Sequence, residues 1–204
     1  MTGKLTRVFF VEPTTVVRVW FRRYRQTGLG RCGEQGGYCD ARVPASDQEL
    51  PIGSHDMPDQ LAADDARWPQ RCERCGEKFA EDDPRQTFFQ RVYRAADGRE
   101  WSIGELPPGA VYDANWYGKS MVGPDGRTLV ACLPPQGAGG ADLWVIDGPS
   151  KNGGGWKREG KPEDGTLSVT PSIMTPRYHG FLKSFSASEA RRRGVEPGSY
   201  LEEC

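Results

Sequence analysis

Apolar and polar positions alternate with a period of two in several short stretches of this chain, as expected of strands with one wet face. Residues 15–24 (TVVRVWFRRY) set Val17, Val19 and Phe21 against Arg18, Trp20 and Arg22. Residues 87–94 (TFFQRVYR) set Phe89, Arg91 and Tyr93 against Phe88, Gln90 and Val92. The second run leads through Asp97-Gly98 into Glu100-Trp101-Ser102-Ile103, and Asp-Gly between two such runs is a strong hairpin signal. Pro124-Asp125-Gly126 repeats the device ahead of residues 128–133 (TLVACL), and residues 143–146 (LWVI) and 167–170 (LSVT) read as further short strands. Helical patterning is thin. It covers residues 59–68 (DQLAADDARW), stopped by Pro69, and residues 188–193 (SEARRR), with Ser188 as N-cap and Gly194 just past the end.

These elements predict a mostly β protein with a minor α+β part: a small sheet or sandwich-like domain carrying an N-terminal zinc-ribbon-like or zinc-knuckle module. Residues 1–83 form the predicted zinc-binding module. Residues 84–204 form a β-rich domain with Gly/Pro-rich loops, a short C-terminal helix and a charged tail. Composition supports short elements. Gly (26) and Pro (16) are frequent, only 36% of the 204 residues are hydrophobic, and six Trp, seven Tyr and eight Phe supply core material.

A net charge of −1 carries no global signature of a nucleic-acid or membrane-surface binder. The longest apolar runs, such as Val8-Phe9-Phe10-Val11, are far shorter than the ~18–20 residues of a spanning helix, and Glu12 ends that run too early for a signal peptide. The expectation is a soluble protein in a reducing compartment, where paired cysteines favour metal over disulfide.

The cysteines change the picture most. Cys72-Glu-Arg-Cys75-Gly76 has knuckle spacing: two intervening residues let both sulfurs reach one tetrahedral ion, and the glycine permits a tight turn that aims backbone amides at sulfur. Cys32 and Cys39, on a wider glycine-rich loop, supply a second pair, so the predicted metal ligands are Cys32, Cys39, Cys72 and Cys75, with zinc as the structural ion. His55 could replace Cys32 or Cys39. Disulfide-bonded or free thiols are the alternative. Cys132 reads as a buried small hydrophobe and Cys204 as a free thiol. Four cysteine ligands leave no open position, which makes such a site structural rather than catalytic.

Other chemistry is sparse. His179, one of two histidines, could act as a base oriented by Asp142 or Asp147, with Ser172 as nucleophile. Residues 106–110 (LPPGA) and Gly153-Gly154-Gly155-Trp156 lack the strand–loop–helix context of a phosphate loop and read as turns that position Trp116 and Trp156. Arg18, Arg22, Arg23, Arg25 and Arg31, interleaved with Trp20, Phe21 and Tyr24, could grip single-stranded nucleic acid. The bland reading is the solvated face of a strand in an arginine-rich chain, with 20 Arg against 7 Lys.

Three segments together carry a resemblance: 106–116 (LPPGAVYDANW), 143–149 (LWVIDGP), and the pair 170–173 (TPSI) and 178–182 (YHGFL). Over residues 71–182 the chain resembles small proteins encoded by phages and prophages, some of which are labelled ammonia monooxygenase. Two histidines are too few ligands for a copper or iron site, so the label is set aside. Those relatives continue the last box into a glycine hairpin, which Lys183-Ser184-Phe185-Ser186 lacks, and this puts the final strand pairing in question. The resemblance implies a phage-type origin, in a virion or in the cytoplasm of a bacterial host. The leading expectation is therefore a non-enzymatic, zinc-stabilised accessory or structural protein that binds other proteins, with no membrane partner. A nucleic-acid-binding protein using residues 18–25 is the second reading, and a hydrolase centred on His179 the third.

Overall fold

A computed structural model describes residues 3–26, 32, 38–54, 61–114, 121–135, 141–148 and 156–204. His55, Arg31, Trp116 and residues 153–155 lie outside them. In chain order the elements are β1 (Leu5–Arg7), β2 (Phe9–Gln26), β3 (Tyr38–Glu49), β4 (Arg85–Ala95), β5 (Glu100–Ser102), a 3-10 turn (Ile103–Glu105), β6 (Ala110–Asp113), β7 (Leu129–Leu133), β8 (Asp142–Val145), β9 (Lys157–Glu159), β10 (Ser168–Thr175), β11 (Tyr178–Phe185), α1 (Ala187–Arg193) and β12 (Gly198–Glu203). Among the described residues the protein is mostly β, with strands in two sheets and one α-helix.

Contacts divide the chain into two units elsewhere than after residue 83. One comprises Met1–Glu12, Arg94–Trp101 and Glu105–Cys204; the other comprises Pro13–Tyr93 and Ser102–Gly104. In the first unit, one sheet has the order β1-β12-β11-β10-β9. Strands β6, β7 and β8 run antiparallel to one another, and Phe9 and Phe10 at the start of β2 pair in parallel with Ala110 and Val111 of β6. Inward residues of both groups share one core: Val111, Leu129, Ala131, Leu133 and Trp144 meet Val169, Ile173, Tyr178, Leu182 and Leu201. This is sandwich packing, with apolar faces turned inward. Trp156 closes the core edge-on to Trp144, ring centroids 5.1 Å apart.

The C-terminal segment corrects the sequence reading. The expected charged tail is β12, an interior strand of the five-stranded sheet, because Leu201 is fully buried and Glu202 is neutralised by Lys183 (3.1 Å) and Arg193 (2.6 Å). The absent glycine does not break the last pairing, since Lys183, Ser184 and Phe185 pair with Tyr200, Ser199 and Gly198. The helix starts earlier than expected. Ser186, not Ser188, is the N-cap, its Oγ accepting from Glu189 N, and Gly194 ends α1 in the left-handed region as predicted.

In the second unit β2 pairs antiparallel with β3. The alternation predicted for residues 15–24 holds: Val17, Val19 and Phe21 are buried, and Phe21 packs on Trp68 with centroids 5.3 Å apart. Strand β3 was not foreseen, because its sequence is polar and contains Pro44. It lies mostly exposed, and Pro44 sits at a bulge where the register slips between Val19 and Trp20, a place where the missing N–H costs no ladder bond. The helix expected at 59–68 is not formed by its described residues. Residues 61–68 instead make turns, Asp65 N to Ala62 O and Trp68 N to Asp65 O. The Asp65 carboxylate takes the Arg67 amide and guanidinium, the local bonding by which Asp competes with a helix.

Candidate metal centre

The segment 70–79 folds as a tight hairpin. Cys72 N donates to Glu77 O (2.9 Å), Gly76 N to Cys72 O (3.0 Å) and Phe79 N to Gln70 O (3.0 Å), with an Arg71–Lys78 bridge. Gly76 closes the turn at φ +72°, a conformation that L side chains rarely adopt. Its partner is the start of β3, where Cys39 is fully buried, and Glu73 N donates to Asp40 O (3.2 Å) to tie hairpin to strand. Buried Cys39, Ala41, Cys72 and Phe79, with half-buried Cys32, form a small core of their own.

Cys72 and Cys75 of the hairpin, Cys39 of β3 and Cys32, which precedes β3 in the chain, come together. The sulfurs of Cys32, Cys39, Cys72 and Cys75 all lie within 4.8 Å of one another; Cys32 and Cys72 are 3.2 Å apart, Cys39 and Cys75 3.8 Å. None is disulfide-bonded. A tetrahedral ion with Zn–S bonds of about 2.3 Å sets its sulfurs roughly 3.8 Å apart, inside the observed spread, so the donor set fits a closed thiolate site.

The electrostatics suit anionic sulfur at one position before any ion is considered. Burial opposes ionisation of Cys72, but backbone amides, including those of Cys75 and Arg74, and the Cys32 thiol hold its pKa down at about 6. The hydrogen bond shared with Cys72 (3.2 Å) pushes Cys32 up to about 12, and burial raises Cys39. Crowded thiols sharing one proton network behave this way, and a bound cation displaces the remaining protons. Arg25 supplies outer support. Its guanidinium hydrogen-bonds Cys39 and pairs with Glu77 (3.1 Å) and Asp83 (3.7 Å). Nothing in the sequence singled out Arg25 for this role beyond its place in the arginine-rich strand.

The other predicted sites fare differently. His179 is exposed on β11, and its ring makes no hydrogen bond or ion pair among the described residues. Asp147 is held by Arg158 (2.8 Å), and Asp142 by Arg177 (3.5 Å) and Thr175, so neither orients a histidine. The β2 arginines turn to internal acceptors: Arg18 to Asp47 (3.0 Å), Arg22 to Asp40 (2.8 Å), and buried Arg23 to Pro69 O, Gln70 and Ala80 O. Cys132 is fully buried in β7, and burial pushes its thiol up to about 12, as suits a structural residue. Among the described residues no helix is long and apolar enough to cross a membrane.

Compared with known protein families, curated proteins and solved structures, the chain matches none.

Proposed function

We propose that the chain is a zinc-stabilised, β-rich binding protein of phage type, working through protein–protein contacts rather than catalysis, as a virion component or as an accessory factor in a bacterial host. The observation that carries the zinc part is the set of four thiols whose sulfurs all lie within 4.8 Å of one another. Such a set fills every position of the ion with protein and leaves none for water or substrate. The ion's contribution is to hold the 70–79 hairpin against β3. The non-catalytic part rests on what surrounds the rest of the chemistry: Asp147 and Asp142, the carboxylates the sequence offers to His179, are occupied by arginines. The phage-type part rests on the sequence boxes at 106–116, 143–149, 170–173 and 178–182.

The nucleic-acid reading gains no support from Arg18, Arg22 and Arg25, whose charge is met by carboxylates of the protein, or from Arg23, which is buried against carbonyl and amide oxygens. The test is native isolation from lysed, phage-producing cells, followed by particle purification and quantitative mass spectrometry. Recovery at fixed stoichiometry in particles, or in a nucleic-acid-free host complex, supports the reading. Recovery as a lone chain with hydrolase activity, lost on His179→Ala, overturns it.

A further inference from the structure

The four thiols of the metal centre differ in exposure. Cys39 and Cys72 are buried and Cys32 is half-buried, whereas Cys75, in the turn of the 70–79 hairpin, is exposed. The chain shields the buried sulfurs from solutes, so Cys75 is the one that a small oxidant reaches first. The thiols also fall into two close pairs. Cys75 lies 3.8 Å from Cys39, and Cys32 lies 3.2 Å from Cys72. Cys39 and Cys75 belong to different elements, β3 and the hairpin, which the bond from Glu73 N to Asp40 O already ties together (3.2 Å). An exposed thiol with a buried thiol in contact beside it is the arrangement of an oxidisable sulfur and its resolving partner.

Resting on the zinc reading above, we infer that the centre is a reversible peroxide-sensitive switch, in which Cys75 is oxidised, Cys39 resolves it as a disulfide and zinc is lost. With the ion bound all four sulfurs are thiolates, so access rather than ionisation selects the one that reacts. The Cys75 sulfur attacks one oxygen of hydrogen peroxide. The O–O bond breaks, hydroxide leaves, and the sulfur, two electrons poorer, becomes a sulfenic acid. The Cys39 thiolate then attacks that sulfur; the S–O bond breaks, a second hydroxide leaves and the S–S bond forms. Solvent protonates both hydroxides, so two thiolates and one peroxide give one disulfide and two waters. Cys32 and Cys72 alone are then left to the ion, half of a tetrahedral set. The disulfide joins the hairpin to β3, as the ion did, so that contact survives oxidation while Cys32 is released from the centre. A thiol reductant returns Cys39 and Cys75 to the metal.

The test uses the full chain carrying Cys204→Ser, which removes the exposed thiol outside the centre. Its zinc content is measured first, and a chain without zinc at that stage overturns both the zinc reading and the switch. One equivalent of hydrogen peroxide, stopped with catalase, is expected to release the zinc to a metal-sensitive dye and to leave a Cys39–Cys75 disulfide in peptide maps. Dithiothreitol with added zinc is expected to restore the metal content. Dimedone present during the reaction is expected to label Cys75 roughly tenfold more than Cys32, Cys39 or Cys72. Cys75→Ser is expected to slow zinc loss roughly tenfold; if that variant holds no zinc, the dimedone map of the four-cysteine chain decides. Three results in a zinc-loaded chain overturn the switch and leave the zinc reading standing: zinc retained at a peroxide level that fully oxidises free cysteine, a first disulfide between Cys32 and Cys72, or Cys75 carried to sulfonic acid with no disulfide.

Discussion

Arg25 shows how one residue can be read two ways. In the sequence it belongs to a run of strand arginines; in the fold it donates to the Cys39 sulfur and is braced by Glu77 and Asp83. Outer partners of this kind orient ligands and offset the charge of a thiolate cluster, and their loss typically costs about 10–100-fold in metal affinity. Arg25→Gln is therefore expected to leave the fold intact and weaken zinc retention by about that factor in a chelator competition assay. An unchanged competition curve removes Arg25 from the site. A second residue-scale test lies in the first unit. Arg158 is buried and pairs with Asp147 (2.8 Å) and Asp125 (2.5 Å). Removing one partner of a buried pair strands the other charge, so Arg158→Ala should cost about 3–5 kcal/mol in urea unfolding. The pH dependence follows from the same contact. Arg158's hydrogen bonds hold the Asp125 carboxyl well below the usual carboxylate range. A depressed acid contributes stability above its unfolded pKa of about 4 and loses it as pH falls below that value. The wild-type Tm should thus drop below about pH 4, and in Arg158→Ala that acid slope should flatten.

At the scale of elements, legibility followed the source of each element's stability. Residues 15–24 were readable because their period of two reflects a real difference between faces, with Val17, Val19 and Phe21 inside. The exception on that inner face, Arg23, was invisible: its burial depends on acceptors 46 to 57 residues away. Strand β3 was missed because its residues carry little β signal and pairing with β2 holds them. Strand β12 looked like a tail because Glu202 and Glu203 hide an interior strand whose charge is met by Lys183 and Arg193. The cysteine hairpin was legible from its spacing alone, since knuckle chemistry is local; the nearness of Cys32 and Cys39 to it needed the fold. The turn at residues 106–110 makes its own prediction. Gly109 has φ +91°, and a Cβ there would lie 2.1 Å from the Arg7 carbonyl oxygen. Gly109→Ala must therefore displace β1 or the turn into β6. A loss of at least 1 kcal/mol in denaturant unfolding is expected, and an unchanged midpoint would show that the turn relaxes freely.

For the whole molecule, the two units differ in what holds them. The first has a sandwich core of Leu, Val, Ile and aromatic residues; among the described residues the second has two smaller clusters, one of them built from the cysteines and Phe79. Chelation at neutral pH should therefore act unequally. Amide exchange is expected to accelerate at Cys72, Gly76 and Phe79, whose bonds close the hairpin, while Leu182 and Leu201 in the five-stranded sheet stay protected. Uniform acceleration, or none at the hairpin, would contradict a local staple. The central claim is tested most directly by metal content. Elemental analysis of protein purified without chelator or added metal is expected to give one zinc per chain, and Cys72→Ser, prepared in parallel, to give close to none together with a lower Tm. Metal-free wild-type protein with the same Tm as Cys72→Ser would contradict it.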